Sequence, residues 1–167
     1  MTLNQRDAIA ANPSADLRER LGEQMLLKLA LDAVQSLDPS KLNSAVSSDP
    51  GIRPQMMLTL LAYCYAARIY GSWEIEAAIR NDPTVRYICA RTFLIWRDIR
   101  HFRRNNRDLI ERCLAYVLKQ AWLLERDELE GESIPWNSTA PALNRDFGFA
   151  AREKIDVAII MDMPARD

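Results

Sequence analysis

The chain has 167 residues, of which 49% are hydrophobic and 27% are charged, and its formal net charge is −1. This length is typical of one domain, and the apolar share is enough for a hydrophobic core, which excludes wholesale disorder. No stretch approaches the roughly 20 uninterrupted apolar residues of a membrane span, and the first seven residues lack an apolar signal core, so we expect a cytoplasmic protein with no membrane partner.

Apolar residues recur at helical spacing along the chain, and alternating strand patterns are almost absent. The predicted fold is therefore all-α: a compact multi-helix bundle with a helix-turn-helix-like pair, an acidic linker and a C-terminal helix. Asn12-Pro13 combines a capping residue with a first-turn proline and begins a helix expected to end near Leu37. Residues 38–53 predict a connector with one short helical turn, which completes an N-terminal region over 1–53.

The second predicted region, residues 54–126, is a run of helices. Prolines, glycine and capping residues give these expected limits: Pro54 to Tyr70-Gly71, Ser72 to Asn81, Pro83 to Cys89, about 94–105, and about 107–126. Gly71 is expected to take the left-handed conformation that commonly ends a helix.

The third predicted region, residues 127–167, is acidic. Residues 127–146 contain Pro135 and Pro141 and predict a linker, and a last helix is expected over roughly 147–161. Asp156 and Asp162 lie on that helix and are interpreted as solubility groups.

No catalytic, metal or cofactor site is apparent in the sequence. The cysteines are far apart and His101 is the only histidine, so the four or so ligands of a structural zinc site are missing. We expect small buried cysteines, no metal, no cofactor and no enzyme activity. Most aromatic residues at helical spacing are expected to be core, although they could also stack on bases: Tyr63, Tyr65, Tyr70, Trp73 and Tyr87.

Charge is unevenly distributed along the chain. Residues 86–126 carry ten basic and four acidic side chains, a net of +6, whereas residues 127–167 carry four and nine, a net of −5. On a helical wheel of residues 95–107, the apolar Ile95, Ile99 and Phe102 fall on one side. The opposite side is basic, with Arg103 at its border: Arg97, Arg100, Arg103, Arg104 and Arg107.

An anionic partner would relieve the repulsion among these arginines. Duplex DNA is the obvious candidate, because phosphates accept hydrogen bonds from arginine and a helix fits the major groove. The short helix 83–89 would supply a helix-turn-helix-like partner. Two other interpretations remain open: a solvated face partly neutralised by Asp108 and Glu111, and a protein partner.

Several short pieces occur in order between Pro54 and about Leu114: Pro54 with Leu58, Leu60-Leu61 and Tyr63, Tyr70-Gly71-Ser72 with Ile75-Glu76-Ala77-Ala78, Arg86-Tyr87-Ile88-Cys89, and Ile99 with Phe102-Arg103-Arg104-Asn105-Asn106-Arg107. In this order they resemble the N-terminal domain of InsH-type insertion-sequence transposases. The resemblance implies a helical domain that engages element DNA ahead of a catalytic domain. The chain departs from the family at residues 94–98, where a Pro-Asp turn is usual, and at Trp73, where arginine is usual.

Such transposases cut DNA with three carboxylates on an RNase H-like sheet that hold two metal ions. After residue 126 only the short run 157–160 has a strand-like pattern, so we expect the catalytic domain to be absent. The predicted function is a non-catalytic DNA-binding domain, a transposon-derived regulator or remnant. The alternative is a protein-interaction or oligomerisation module, and a homodimer is possible, in which residues 127–167 cover the basic face of their own chain or of a second copy.

Overall fold

The computed structural model describes residues 16–47, 49–130 and 136–163. Within these ranges the chain forms nine helices and no strand, which confirms the all-α prediction. In chain order the helices are α1 Leu17–Leu21, α2 Glu23–Gln35, α3 Pro39–Asn43, α4 Pro54–Ala66, α5 Ser72–Asn81, α6 Pro83–Cys89, α7 Trp96–Asn105, α8 Arg107–Glu130 and α9 Trp136–Asp162. None of these helices is long and apolar enough to cross a membrane.

The first predicted helix is interrupted at Gly22. This residue has φ 87°, which glycine adopts readily because it has no Cβ, and it separates α1 from α2. The carboxylate of Asp16 caps α1 by accepting a hydrogen bond from the Arg18 backbone N–H at 2.9 Å. The predicted cap at Asn12-Pro13 lies outside the described residues. The short helix predicted within the connector is α3, where Asp38 accepts from the Ser40 N–H.

Helix α4 forms the centre of the core, because every residue from Met57 to Ala66 is buried. It packs against α2, α6, α8 and α9. Tyr63 and Tyr65 are buried completely, and burial raises the pKa of both phenols. The core interpretation is confirmed for Tyr63, Tyr65 and Tyr70, whereas Trp73 and Tyr87 are exposed. All three cysteines are buried and free, as predicted.

The end of α4 and the residue before α5 differ from the prediction. Helix α4 ends at Ala66, and the left-handed residue after it is Arg68, with φ 63°. Gly71 has an extended backbone, φ −66°, and precedes α5 as its N-cap, so the prediction of a left-handed Gly71 is wrong. The start of α6 at Pro83, by contrast, agrees with the prediction, and Asp82 caps it by accepting hydrogen bonds from the N–H groups of Thr84 and Val85.

The C-terminal region is more helical than the sequence indicates. The predicted linker, residues 127–146, is helical over 127–130 as part of α8 and over 136–146 as part of α9. Three cross-helix contacts link the pair: Arg107 to Asp156, Glu111 to Arg152 and Lys119 to Asn144. Because positions rise along α8 as they fall along α9, the two helices run antiparallel. Residues 147, 151, 155 and 158 of α9 are buried in the core.

Candidate nucleic-acid interface

Helix α7 carries the basic residues singled out from the sequence. Its first turn is closed by Asp98, whose Oδ2 accepts a hydrogen bond from the Ile95 backbone N–H at 3.0 Å. Ile99 and Phe102 are buried, as the helical wheel predicts. Ile95 is exposed, and its assignment to the core is wrong because it precedes the helix as the N-cap, where helical geometry does not apply.

The five arginines do not form one uniform exposed face. Arg97 and Arg104 are exposed on α7, and the Arg107 side chain, at the start of α8, is 45% exposed. Arg100 is mostly covered, and Arg103 is buried with 8% of its surface exposed. The structure therefore divides the predicted DNA-binding residues into two sets. The outer arginines are Arg97, Arg104 and Arg107, and the inner arginines are Arg100 and Arg103.

The inner arginines surround one buried carboxylate, Asp162 at the end of α9. Its Oδ1 accepts hydrogen bonds from the backbone N–H and the hydroxyl of Ser72, both at 2.8 Å. Its Oδ2 lies 2.5 Å from Nη1 of Arg103 and 3.6 Å from Nε of Arg100. Arg100 also donates to the Ser72 hydroxyl at 3.1 Å and to the Asp162 backbone carbonyl at 2.7 Å. We call these four residues the Asp162 cluster.

The Asp162 cluster joins α5, α7 and α9 through ion pairs and through the dipole at the start of α5. Ser72 is the first residue of α5, where backbone N–H groups favour a carboxylate. Burial alone lowers the pKa of Arg103, but Tyr65 and Asp162 more than offset burial, and the pKa is raised above its ordinary value. Asp162 is thus a structural ion-pair partner, and the interpretation of this residue as a solubility group is wrong.

The outer arginines have weaker partners. Arg107 donates to Asp156 at 2.6 Å, an ion pair in which both side chains are about half exposed. The Arg97 guanidinium lies 5.1 Å from the centre of the Trp96 ring. Among the described residues, Arg104 forms no hydrogen bond or ion pair. Exposed pairs contribute little to stability, so Arg97, Arg104 and Arg107 remain open to an external anion.

Two tryptophans support the start of α7. The rings of Trp73 and Trp96 stack with their centres 5.0 Å apart, and the Arg100 guanidinium lies 4.6 Å from the Trp96 centre. Cation–π contact of this kind holds the guanidinium over the ring face. Trp73 stands where the transposase resemblance expects arginine, and here it packs against α7.

A pocket of about 180 Å³ lies between α7 and α9. Four arginines line one side, and the other side is formed by α9 and the residue after it: Arg100, Arg103, Arg104 and Arg107 face Ile155, Ile159, Asp162 and Met163. The sequence singled out the arginines, but nothing local to α7 indicated that α9 would close a pocket over them.

Among the described residues, the acids that form ion pairs with the arginines lie in the acidic region 127–167, and not at Asp108 or Glu111. The sequence pointed to Asp108 and Glu111, which are close in the chain, but Glu111 pairs with Arg152. The observed partners, Asp156 and Asp162, come from α9. One signal did exist: Asp162 follows Ile155 and Ala158 at helical spacing, and so it continues the buried stripe of α9.

The two helices of the predicted helix-turn-helix-like pair are α6 and α7, joined by residues 90–95. Helix α6 packs mainly on α4 and α5, whereas α7 packs mainly on α5 and α8. Helix α5 therefore supports both members of the pair.

The exposed His101 contacts the side chain of Asn105. Within the described ranges, no three His, Cys, Asp or Glu side chains come together in a way that could hold a metal ion.

Comparisons with known proteins add no family assignment. No protein-family model, no curated protein and no solved structure matches this chain.

Proposed function

We propose that this protein is a non-catalytic DNA-binding domain that contacts the phosphates of a duplex through the outer arginines of α7. The observation that carries the proposal is the exposure of Arg97 and Arg104, which form no ion pair with any described residue. They lie seven residues, or about 10 Å, apart along one helix, so they can contact different phosphates of one duplex. Arg107, half exposed at the adjoining helix start, extends the same surface.

Arg100 and Arg103 have a different role in this proposal. They anchor α7 to α9 through the Asp162 cluster and fix the direction in which the outer arginines project. Two carboxylates, on Asp156 and Asp162, form ion pairs with three of the five arginines, whereas Arg97 and Arg104 form none with a described residue. The resemblance to transposase N-terminal domains supports the same function, and a transposon-derived regulator or remnant is the origin we propose.

The test is binding to labelled duplex DNA, measured by fluorescence anisotropy at a series of NaCl concentrations. Each phosphate contact contributes about 0.9 to the slope of log Kd against log salt. The variant Arg97→Ala/Arg104→Ala should lower that slope by about 2. It should weaken binding about tenfold for each arginine, because a hydrogen bond to a charged group contributes about 1.5 kcal/mol.

Arg145→Ala is the matched control. Arg145 is an exposed arginine on α9, 17 residues before Asp162 and therefore about 25 Å away along the helix axis. It should bind DNA as the parent protein does. If the double variant keeps the parental affinity and salt slope while remaining folded, the outer arginines are not the DNA contact.

A second candidate function is self-association through the end of α9. Val157, Ile160, Met161 and Met163 are exposed within two turns of this helix, although α9 buries its other side in the core. A second copy of this chain is the occupant we consider, since a two-fold contact requires only one self-complementary patch. Ile160→Asp should then convert a dimer to a monomer in light scattering. Phe93→Asp, which alters an exposed apolar residue in the connection between α6 and α7, should leave the mass unchanged.

A further inference from the structure

The pocket between α7 and α9 has the dimensions of a small-anion site. Its volume of about 180 Å³ is that of roughly six waters in the liquid. A tetrahedral oxyanion fits this space. Arg104 and Met163 at its edge are exposed, so the pocket communicates with solvent.

Hydrogen-bond donors are abundant in this pocket. A guanidinium has five N–H donors. Arg100 uses two of them, on Ser72 and on the Asp162 carbonyl, and Arg104 uses none among the described residues. Further N–H groups of these two side chains therefore lack a protein acceptor in the described part of the chain.

The balance of charge favours a dianion. Four guanidinium groups line the pocket, and two carboxylates pair with them, Asp162 inside the pocket and Asp156 on Arg107. A phosphate monoester carries close to two negative charges at neutral pH, whereas a backbone phosphodiester carries one. A dianion would thus neutralise the remaining charge.

Two of the four lining arginines are also fixed before any ligand arrives. Arg103 is held by Asp162, and Arg100 is held by Asp162, Ser72 and the face of Trp96. Pre-ordered side chains reduce the entropy lost on binding. Ile159 and Met163 on the opposite wall lower the local polarity, which strengthens hydrogen bonds to a charged ligand.

We infer that this pocket binds a phosphate dianion, either as a free small phosphate or as the terminal phosphate monoester of a nucleic acid strand. The inference goes beyond the proposed duplex contact. Arg104 and Arg107 belong to both surfaces, whereas Arg97 does not line the pocket and reports on duplex binding alone.

Calorimetric titration of the full chain with inorganic phosphate tests the inference. Arg104→Gln should weaken phosphate binding about tenfold, because charge-assisted hydrogen bonds are lost. Arg104 is exposed, so this variant should fold normally. Arg97→Gln, a matched change on the same helix, should leave phosphate affinity unchanged while weakening duplex binding. Acetate, a monoanion, should not bind measurably at equal ionic strength.

Equal phosphate affinities of Arg104→Gln and Arg97→Gln would overturn the inference, as would the absence of any saturable phosphate binding by the parent protein. Loss of duplex binding in Arg97→Gln is read separately and bears only on the proposed function. A third arm compares short single strands with 5′-phosphate and 5′-hydroxyl ends. Tighter binding of the phosphorylated strand assigns the pocket to strand ends. If the two strands bind equally well and inorganic phosphate binds tightly, the ligand is a free small phosphate.

Discussion

The Asp162 cluster gives the sharpest prediction about stability. Asp162→Asn keeps the shape of the side chain and one acceptor for Ser72, but it removes the charge that faces Arg103. Removing one partner of a buried ion pair typically costs about 3–5 kcal/mol, because the other charge stays buried without compensation. We expect the lower end of that range, since Arg100 is partly solvated and the contact to Ser72 can survive.

This loss is large enough to measure by thermal unfolding followed by circular dichroism. For a chain of this size, 1 kcal/mol corresponds to about 2–4 °C in Tm, so a decrease of about 6–12 °C is expected. Asp156→Asn is the matched control, because Asp156 is on the same helix but is 56% exposed. Exposed ion pairs contribute about 0–1 kcal/mol, and this variant should unfold close to the parent.

A double-mutant cycle separates the ion pair from other effects of the substitution. Arg103→Met replaces the buried guanidinium by an apolar side chain of similar length. Combined with Asp162→Asn, it should cost less than the sum of the two single changes, with a coupling of about 1–3 kcal/mol. If Asp162→Asn unfolds within about 0.5 kcal/mol of the parent, or if the two changes are additive, the cluster does not hold α7 to α9 as argued.

Three further predictions concern buried groups elsewhere. Burial lowers the pKa of Lys154 from its ordinary 10.5 to about 8, so the folded protein loses this proton before the unfolded chain does, and rising pH between these values favours folding. Lys154 also donates a hydrogen bond to the Tyr70 hydroxyl at 3.2 Å, a contact that Lys154→Met loses. In urea unfolding, the stability of the parent relative to Lys154→Met should rise by about 1–3 kcal/mol between pH 7 and pH 10, and a difference independent of pH would contradict this. The side chain of Asn106 accepts a hydrogen bond from the backbone N–H of Val46 at 2.8 Å and donates one to the Val46 carbonyl at 2.7 Å. Asn106→Ala should therefore lower the free energy of unfolding by about 1–3 kcal/mol in urea. An unchanged midpoint would show that these bonds do not hold the connector, residues 38–53. Burial raises the pKa of all three thiols, on Cys64, Cys89 and Cys113. Iodoacetamide should therefore label none of them within minutes at pH 8 in the native protein but all of them in denaturant, and rapid labelling of the native protein would refute this.

Helix limits were predictable from sequence where the chemistry is local. Pro54 and Asp82-Pro83 mark helix starts because a proline in the first turn and a carboxylate on neighbouring N–H groups act within a few residues. Gly22 shows the converse. The apolar residues on either side of Gly22 form one continuous face on a helical wheel, but its positive φ ends α1 there. Periodicity alone cannot reveal a single residue with different backbone geometry.

The candidate site was predictable only in part, for the same reason. The amphipathic arrangement of α7 is local, so Ile99 and Phe102 are in the core and Arg97 and Arg104 are exposed. The fate of Arg100 and Arg103 depends on Asp162, about 60 positions away in the chain. Composition indicated opposite charges in the two segments, but which carboxylate meets which arginine follows from the antiparallel packing of α8 and α9, and that packing is a tertiary property.

The same packing decides how the acidic C-terminal region can act on α7. A detachable tail that uncovers the arginines would have to leave at low cost. The described part of helix α9 buries four apolar residues: Phe147, Ala151, Ile155 and Ala158. The two large ones, Phe147 and Ile155, each stabilise the fold by about 1.5–3 kcal/mol. With the Asp162 cluster added, releasing α9 would consume much of the roughly 5–15 kcal/mol by which a domain is stable. Deleting residues 127–167 would therefore unfold the protein before it revealed any covered surface. The surface substitution Asp156→Asn, which frees Arg107 while leaving the core intact, is the change that can show whether α9 limits access to the arginines.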